Sequence, residues 1–182
     1  MKTSLLNAFL VTGLLVGCSV SCHKSSVSPT ESLVLPNGPF GFSGIILFKN
    51  WPSPDSLQEL RLVAFREPPS DTVSYLAFIV GQGAVYPPVG KPNLLLLMML
   101  PADSIQYSFT SEGTNLQVTT YKYIAVAWRY GPNLFTDWKP CGVYSVGPQP
   151  FAPTTVNLVS NSLTQNININ VDFRNPPPKL WQ

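Results

Sequence analysis

His23 is the only histidine in the 182-residue chain, and it stands in a polar stretch that reads as a linker. A Ser-His-Asp arrangement or a zinc cluster built on imidazoles therefore has no material in the body of the chain. Charge is scarce as well. Asp, Glu, Lys and Arg together make up 11% of the residues, and no run of one sign offers a footprint for nucleic acid or an anionic lipid surface. There is no Gly-rich loop of the kind that cradles phosphate. Carboxylate pairs such as Asp55 with Glu59, or Glu67 with Asp71, flank turns, where solvated caps account for them and glycosidase chemistry is unsupported. Ser21-Cys22-His23-Lys24 fits the S-x-x-K pattern of penicillin-binding nucleophiles. That serine belongs at a helix start inside a large domain, not in a polar linker. The expectation is a protein with no catalytic residue, no cofactor and no metal.

Long hydrophobic runs are also missing. The longest apolar stretch, Leu5 to Val16, is interrupted by Asn7, Thr12 and Gly13, and it falls short of the roughly 20 residues that span a hydrocarbon core. With Lys2 before it and Leu15-Val16-Gly17-Cys18 at its end, it reads as a secretory signal with a small-residue cut site. Leu15-Val16-Gly17-Cys18 resembles the lipobox of bacterial lipoproteins. The resemblance implies cleavage before Cys18, lipid attachment at that thiol, and a membrane as partner. Each buried CH₂ of the lipid contributes about 0.8 kcal/mol, so several acyl chains hold a small domain almost permanently. Ser19 to Lys24 holds no acidic residue, which by the same resemblance places the domain at the outer membrane, facing the periplasm. Of the other two cysteines, Cys22 lies in the tether and Cys141 in the domain. A disulfide between them is chemically feasible in an oxidising compartment, but nothing in the sequence positions it, and free thiols are expected.

The chain has apolar residues, prolines and β-formers in quantity. Hydrophobic residues make up 45% and there are 19 prolines, enough apolar material for one core and a composition suited to short strands joined by stiff turns. Removing residues 1–17 leaves ten basic against nine acidic residues. Residues 18–39 read as a flexible tether, 40–174 as one domain and 175–182 as a Pro-rich tail. Strands are expected at 41–48, 57–66, 72–80, 94–100, 105–109, 116–128, 142–145, 154–159 and 166–173. Within 57–66 a helical start is also conceivable, with Ser53 as cap and Pro54 at the first position. Leu94 to Leu100 reads as a strand buried on both faces, and Ser111 to Asn115 as a hairpin-like turn with Gly113 at positive φ. The last strand alternates most cleanly: Ile167, Ile169, Val171 and Phe173 point one way, Asn166, Asn168, Asn170 and Asp172 the other. The fold class is all-β, an antiparallel β-sandwich of about seven or more strands, prealbumin-like or Ig-like.

Gly41-Phe42-Ser43-Gly44-Ile45-Ile46-Leu47-Phe48 resembles the opening strand of carboxypeptidase regulatory-like domains, which have a prealbumin (transthyretin-like) sandwich. Tyr121 to Trp128 is similar to their "GxYxxVAxxD" strand, with Thr120 where the family often has Gly. Gly142-Val143-Tyr144, Thr155 to Leu158 and Asn166 to Ile169 are similar to the closing pattern. The resemblance covers roughly residues 40–174 and departs from the family in the long middle section 81–115. It implies an accessory module without catalytic residues of its own.

Aromatic residues crowd one region. Trp128, Tyr130, Phe135, Trp138 and Tyr144 surround the loop 129–141, together with Arg129 and Lys139. A Trp/Tyr platform at a sandwich end can stack on sugar rings or anchor a protein, and Trp138, Tyr130, Arg129 and Phe135 are the candidate binding residues. The alternative is that Trp128 and Tyr144 fill the core, with only Trp138 partly exposed. Two function classes fit the sequence: a lipid-anchored structural or adaptor module of the envelope, and a glycan- or ligand-binding lipoprotein that assists uptake at the outer membrane.

Overall fold

The computed structural model describes residues 32–34, 38–70, 84–97, 102–149 and 151–178. Their architecture is an all-β sandwich with eleven strands. The first sheet is built around β2 (Gly41–Lys49), whose alternation buries Phe42, Ile46 and Phe48 and turns Leu47 and Lys49 outward. On one edge β2 pairs antiparallel with β5 (Ser104–Thr110). Its other edge takes two strands in turn, β10 (Ser162–Thr164) and β11 (Ile169–Asp172), both parallel to it. A short strand, β1 (Ser32–Val34), pairs antiparallel with β10.

The second sheet runs β4 (Ala84–Tyr86), β3 (Glu59–Phe65), β7 (Tyr123–Arg129), β8 (Trp138–Val143), all antiparallel. A two-residue ladder joins β6 (Thr120–Tyr121) to β9 (Val156–Asn157). The main core lies between the sheets, where Phe42, Ile46, Phe109, Leu60, Leu62, Val126 and Ile169 are fully buried. The second sheet is buried on its other face too: Val63, Phe65, Tyr123, Ala125, Ala127, Trp138 and Val143 form a separate apolar cluster there. That explains why β3 and β7 are nearly continuous apolar runs instead of alternating ones.

The sheets approach each other at the β8–β11 seam. A Cβ added at Gly142 would fall 2.7 Å from the Asn170 carbonyl oxygen, so only glycine lets the two backbones come this close.

Several expectations need correction. Leu94 to Leu97 is a helical turn, α1, not the start of a strand. Asn93 initiates it: its side-chain oxygen accepts from the Leu95 amide at 2.8 Å and its carbonyl from Leu96 and Leu97. A short apolar run fits either conformation, and the cap decided between them. Gly113 does have positive φ, +68°, but the turn 111–115 is not a hairpin, because β5 pairs with β2 while β6 pairs with β9. Ser32 to Val34, placed by sequence in the tether, is a sheet strand. The long segment 116–128 divides into β6 and β7. The closing strands run parallel to β2, so the sandwich is antiparallel only in part. At 53–56 the helical start exists as a single 3-10 turn after Ser53, with Pro54 in its first position. The strand expected at 72–80, Cys18 and Cys22 lie outside the described residues.

Candidate functional site

Pairing of β7 with β8 sets Arg129 opposite Trp138 and Trp128 opposite Lys139. The region picked out by sequence is thus half strand and half loop, and its side chains are engaged with one another. Trp138 is 1% exposed, and its indole Nε1–H donates to the Leu134 carbonyl at 2.9 Å. It is no stacking platform: the apolar outer cluster of the second sheet encloses it. The Arg129 guanidinium lies 6.0 Å from the centre of the Trp138 ring, donates from Nε to Glu59 Oε2 at 3.3 Å and from Nη1 to the Gly131 carbonyl. Lys139 Nζ sits 4.2 Å from the Trp128 ring centre and 5.0 Å from that of Tyr130, within the range of cation–π attraction.

Tyr130 is half-buried and meets Trp128 edge-on at 6.1 Å. Trp128 and Tyr144 are core residues, as expected of them. Phe135 alone is well exposed, at 62%, on a turn where its amide donates to Asn133 Oδ1. The structure brings Arg129, Tyr130 and Trp138 into one packed end and leaves Phe135 apart at its tip.

Glu59 binds this end to the sheet. Its Oε1 accepts from Arg61 Nε at 2.6 Å and its Oε2 from Arg129. Arg61, 6% exposed, donates further to the carbonyls of Pro87, Pro88 and Lys91. A buried guanidinium with all three nitrogens donating is a structural clamp. Cys141 carries a free, fully buried thiol that donates to the Val126 carbonyl, and burial pushes its pKa far up. A thiol held neutral is no nucleophile. Among the described residues, no group of three His, Cys, Asp or Glu converges as a metal site, and no helix is long and apolar enough to cross a membrane.

No family model, curated protein or solved structure matches the chain.

Sequence reasoning passed over a different region. Two adjoining open clefts, about 280 and 250 Å³, lie along β11 and the segment leading into it. The first is lined by Ser145, Phe151, Asn168 and Asn170 among others, the second by Gln106, Gln165, Asn166 and again Asn168. The signal was present as the Asn-rich wet side of the last strand, which reads at first as a solvated face.

Proposed function

We propose that the chain is a lipid-anchored, non-catalytic β-sandwich module of the bacterial envelope, held at the outer membrane through Cys18, facing the periplasm and serving a structural or adaptor role. One observation carries the reading of the domain. The aromatic and cationic side chains of 129–141, the best sequence candidates for chemistry or capture, are committed to packing: Trp138 is buried under Arg129, and Lys139 stacks on Trp128 and Tyr130. A rigid closed end of this kind suits a module that presents a surface. The similarity to carboxypeptidase regulatory-like domains belongs to the same proposal and is supported by the central place of β2 in its sheet.

The anchor is tested by replacing Cys18 with Ala in the native host. The variant is expected to leave the membrane fraction or to accumulate uncleaved. Normal maturation with unchanged detergent partitioning would overturn the lipoprotein reading.

A second reading, ligand binding at the outer membrane, is favoured by the paired clefts beside β11. They lie away from the aromatic loop, and nothing in the packing of that loop closes them.

A further inference from the structure

The closing segment reaches β2 with a register slip. Thr164 pairs with Phe42, yet Ile169 pairs with Ile46, so one extra residue stands on the outer strand between them. This is a β-bulge in a parallel pair, a rare place for one, and bulges re-aim side chains. Asn166 takes a left-handed conformation, φ +64°, and the Ile167 amide bonds the Ser43 carbonyl. The Ile45 amide, which loses its ladder partner here, donates instead to Asn168 Oδ1 at 2.9 Å. The bulge presses so closely on β2 that a Cβ at Gly44 would lie 2.2 Å from the Ile167 carbonyl oxygen.

This construction fixes Asn168 between the two clefts with its Oδ1 engaged and its NH₂ group, a pair of donors, left over. Asn170, Asn166, Gln106 and Gln165 make no side-chain hydrogen bond with any described residue, and all line one cleft or the other. Phe151, half-buried and with φ +67°, also lines the first cleft. That conformation is unfavourable for a bulky side chain, and strain of this kind gathers at ligand sites. Every side chain lining the clefts is uncharged.

An aromatic face beside a row of amides, with no charge to meet a phosphate or a carboxylate, matches the chemistry of a pyranose: an apolar C–H edge and hydroxyls that both donate and accept. Two adjoining clefts sharing one asparagine fit two linked rings better than one isolated sugar. We infer that the clefts along Asn166 to Asn170, with Phe151 in their lining, are a binding site for a neutral oligosaccharide. The inference rests on the ligand-binding reading above and gives it a ligand class and a place.

The test is a titration of the full-length chain in detergent with neutral linear oligosaccharides of two to six hexose or N-acetylhexosamine units. Uronic-acid oligosaccharides and a Ser/Thr-rich peptide are run alongside. Saturable binding of a neutral oligosaccharide is expected. Asn170→Ala, which breaks no side-chain hydrogen bond to a described residue, should weaken it at least tenfold at an unchanged melting temperature. Phe151→Gly should weaken it as much while moving the melting temperature little, since glycine adopts positive φ without strain and this relief offsets part of the packing and chain entropy lost. A residue kept only for stability would do the opposite. Neutral sugars failing to bind, or binding that survives both substitutions, overturns the inference. Capture of only the acidic sugar or the peptide, lost in Asn170→Ala, also overturns it but leaves the ligand-binding reading standing. If no probe binds, that reading fails too.

Discussion

Replacing Ile169 with Asp is expected to unfold the domain. Ile169 is fully buried, pairs with Ile46 on the central strand, and belongs to the core between the sheets. A carboxylate there finds no partner, and either its charge or its protonation must be forced on an apolar site. The loss should reach at least about 4 kcal/mol, a large part of the roughly 5–15 kcal/mol that holds a typical domain. Asn168→Asp, one residue away, is the control. Asn168 is exposed, and aspartate keeps the oxygen that accepts from the Ile45 amide, so its melting temperature should stay close to that of the parent. Equal destabilisation by the two substitutions, measured in thermal melts, would show that β11 is not half-buried.

Trp138→Ala is expected to cost about 3–5 kcal/mol and to lower the melting temperature by something on the order of 10 °C. The indole is buried among Val63, Phe65, Tyr123 and Ala127, its N–H bonded to Leu134, and its removal leaves a cavity beneath Arg129. Phe135→Ala on the exposed turn should change stability by no more than about 0.5 kcal/mol. If Trp138→Ala melted like the parent, the outer cluster of the second sheet would not be a core.

These two residues mark what was legible in the sequence. The last strand declared itself because four apolar and four polar residues alternate without a fault, and the structure buries Ile167, Ile169, Val171 and Phe173. Gly41 to Phe48 was equally clear, needing one more residue at its end. Trp138 is buried although Asp137 and Lys139 flank it and suggest a wet turn. The better signal lay elsewhere: Tyr123-Ile124-Ala125-Val126-Ala127-Trp128 has no polar residue, so its strand is buried on both faces and its neighbour must supply apolar residues to each. Leu94 illustrates the opposite limit, since four leucines in a row carry no period and Asn93 settled the matter locally. Parallel pairing, the slip at Asn166 and the contact of Glu59 with Arg129 depend on residues far apart in sequence. No local pattern announces them, and the clefts along β11 follow from that slip.

β11 lies parallel to β2 with the register displaced by one residue after the bulge. A pair of cysteines tests it directly. Leu47 faces Asn170 across the ladder, and both side chains are exposed. Neighbouring strands stand about 4.8 Å apart, inside the roughly 4.4–6.8 Å window that a disulfide bridges. Leu47→Cys combined with Asn170→Cys is expected to form an intramolecular disulfide under mild oxidation, seen by mass spectrometry of the linked peptide. A pair that stays reduced, while Leu47→Cys with Ile169→Cys becomes linked, as continuing the Thr164–Phe42 pairing without a slip would require, would contradict the register and with it the placement of Asn168 between the clefts.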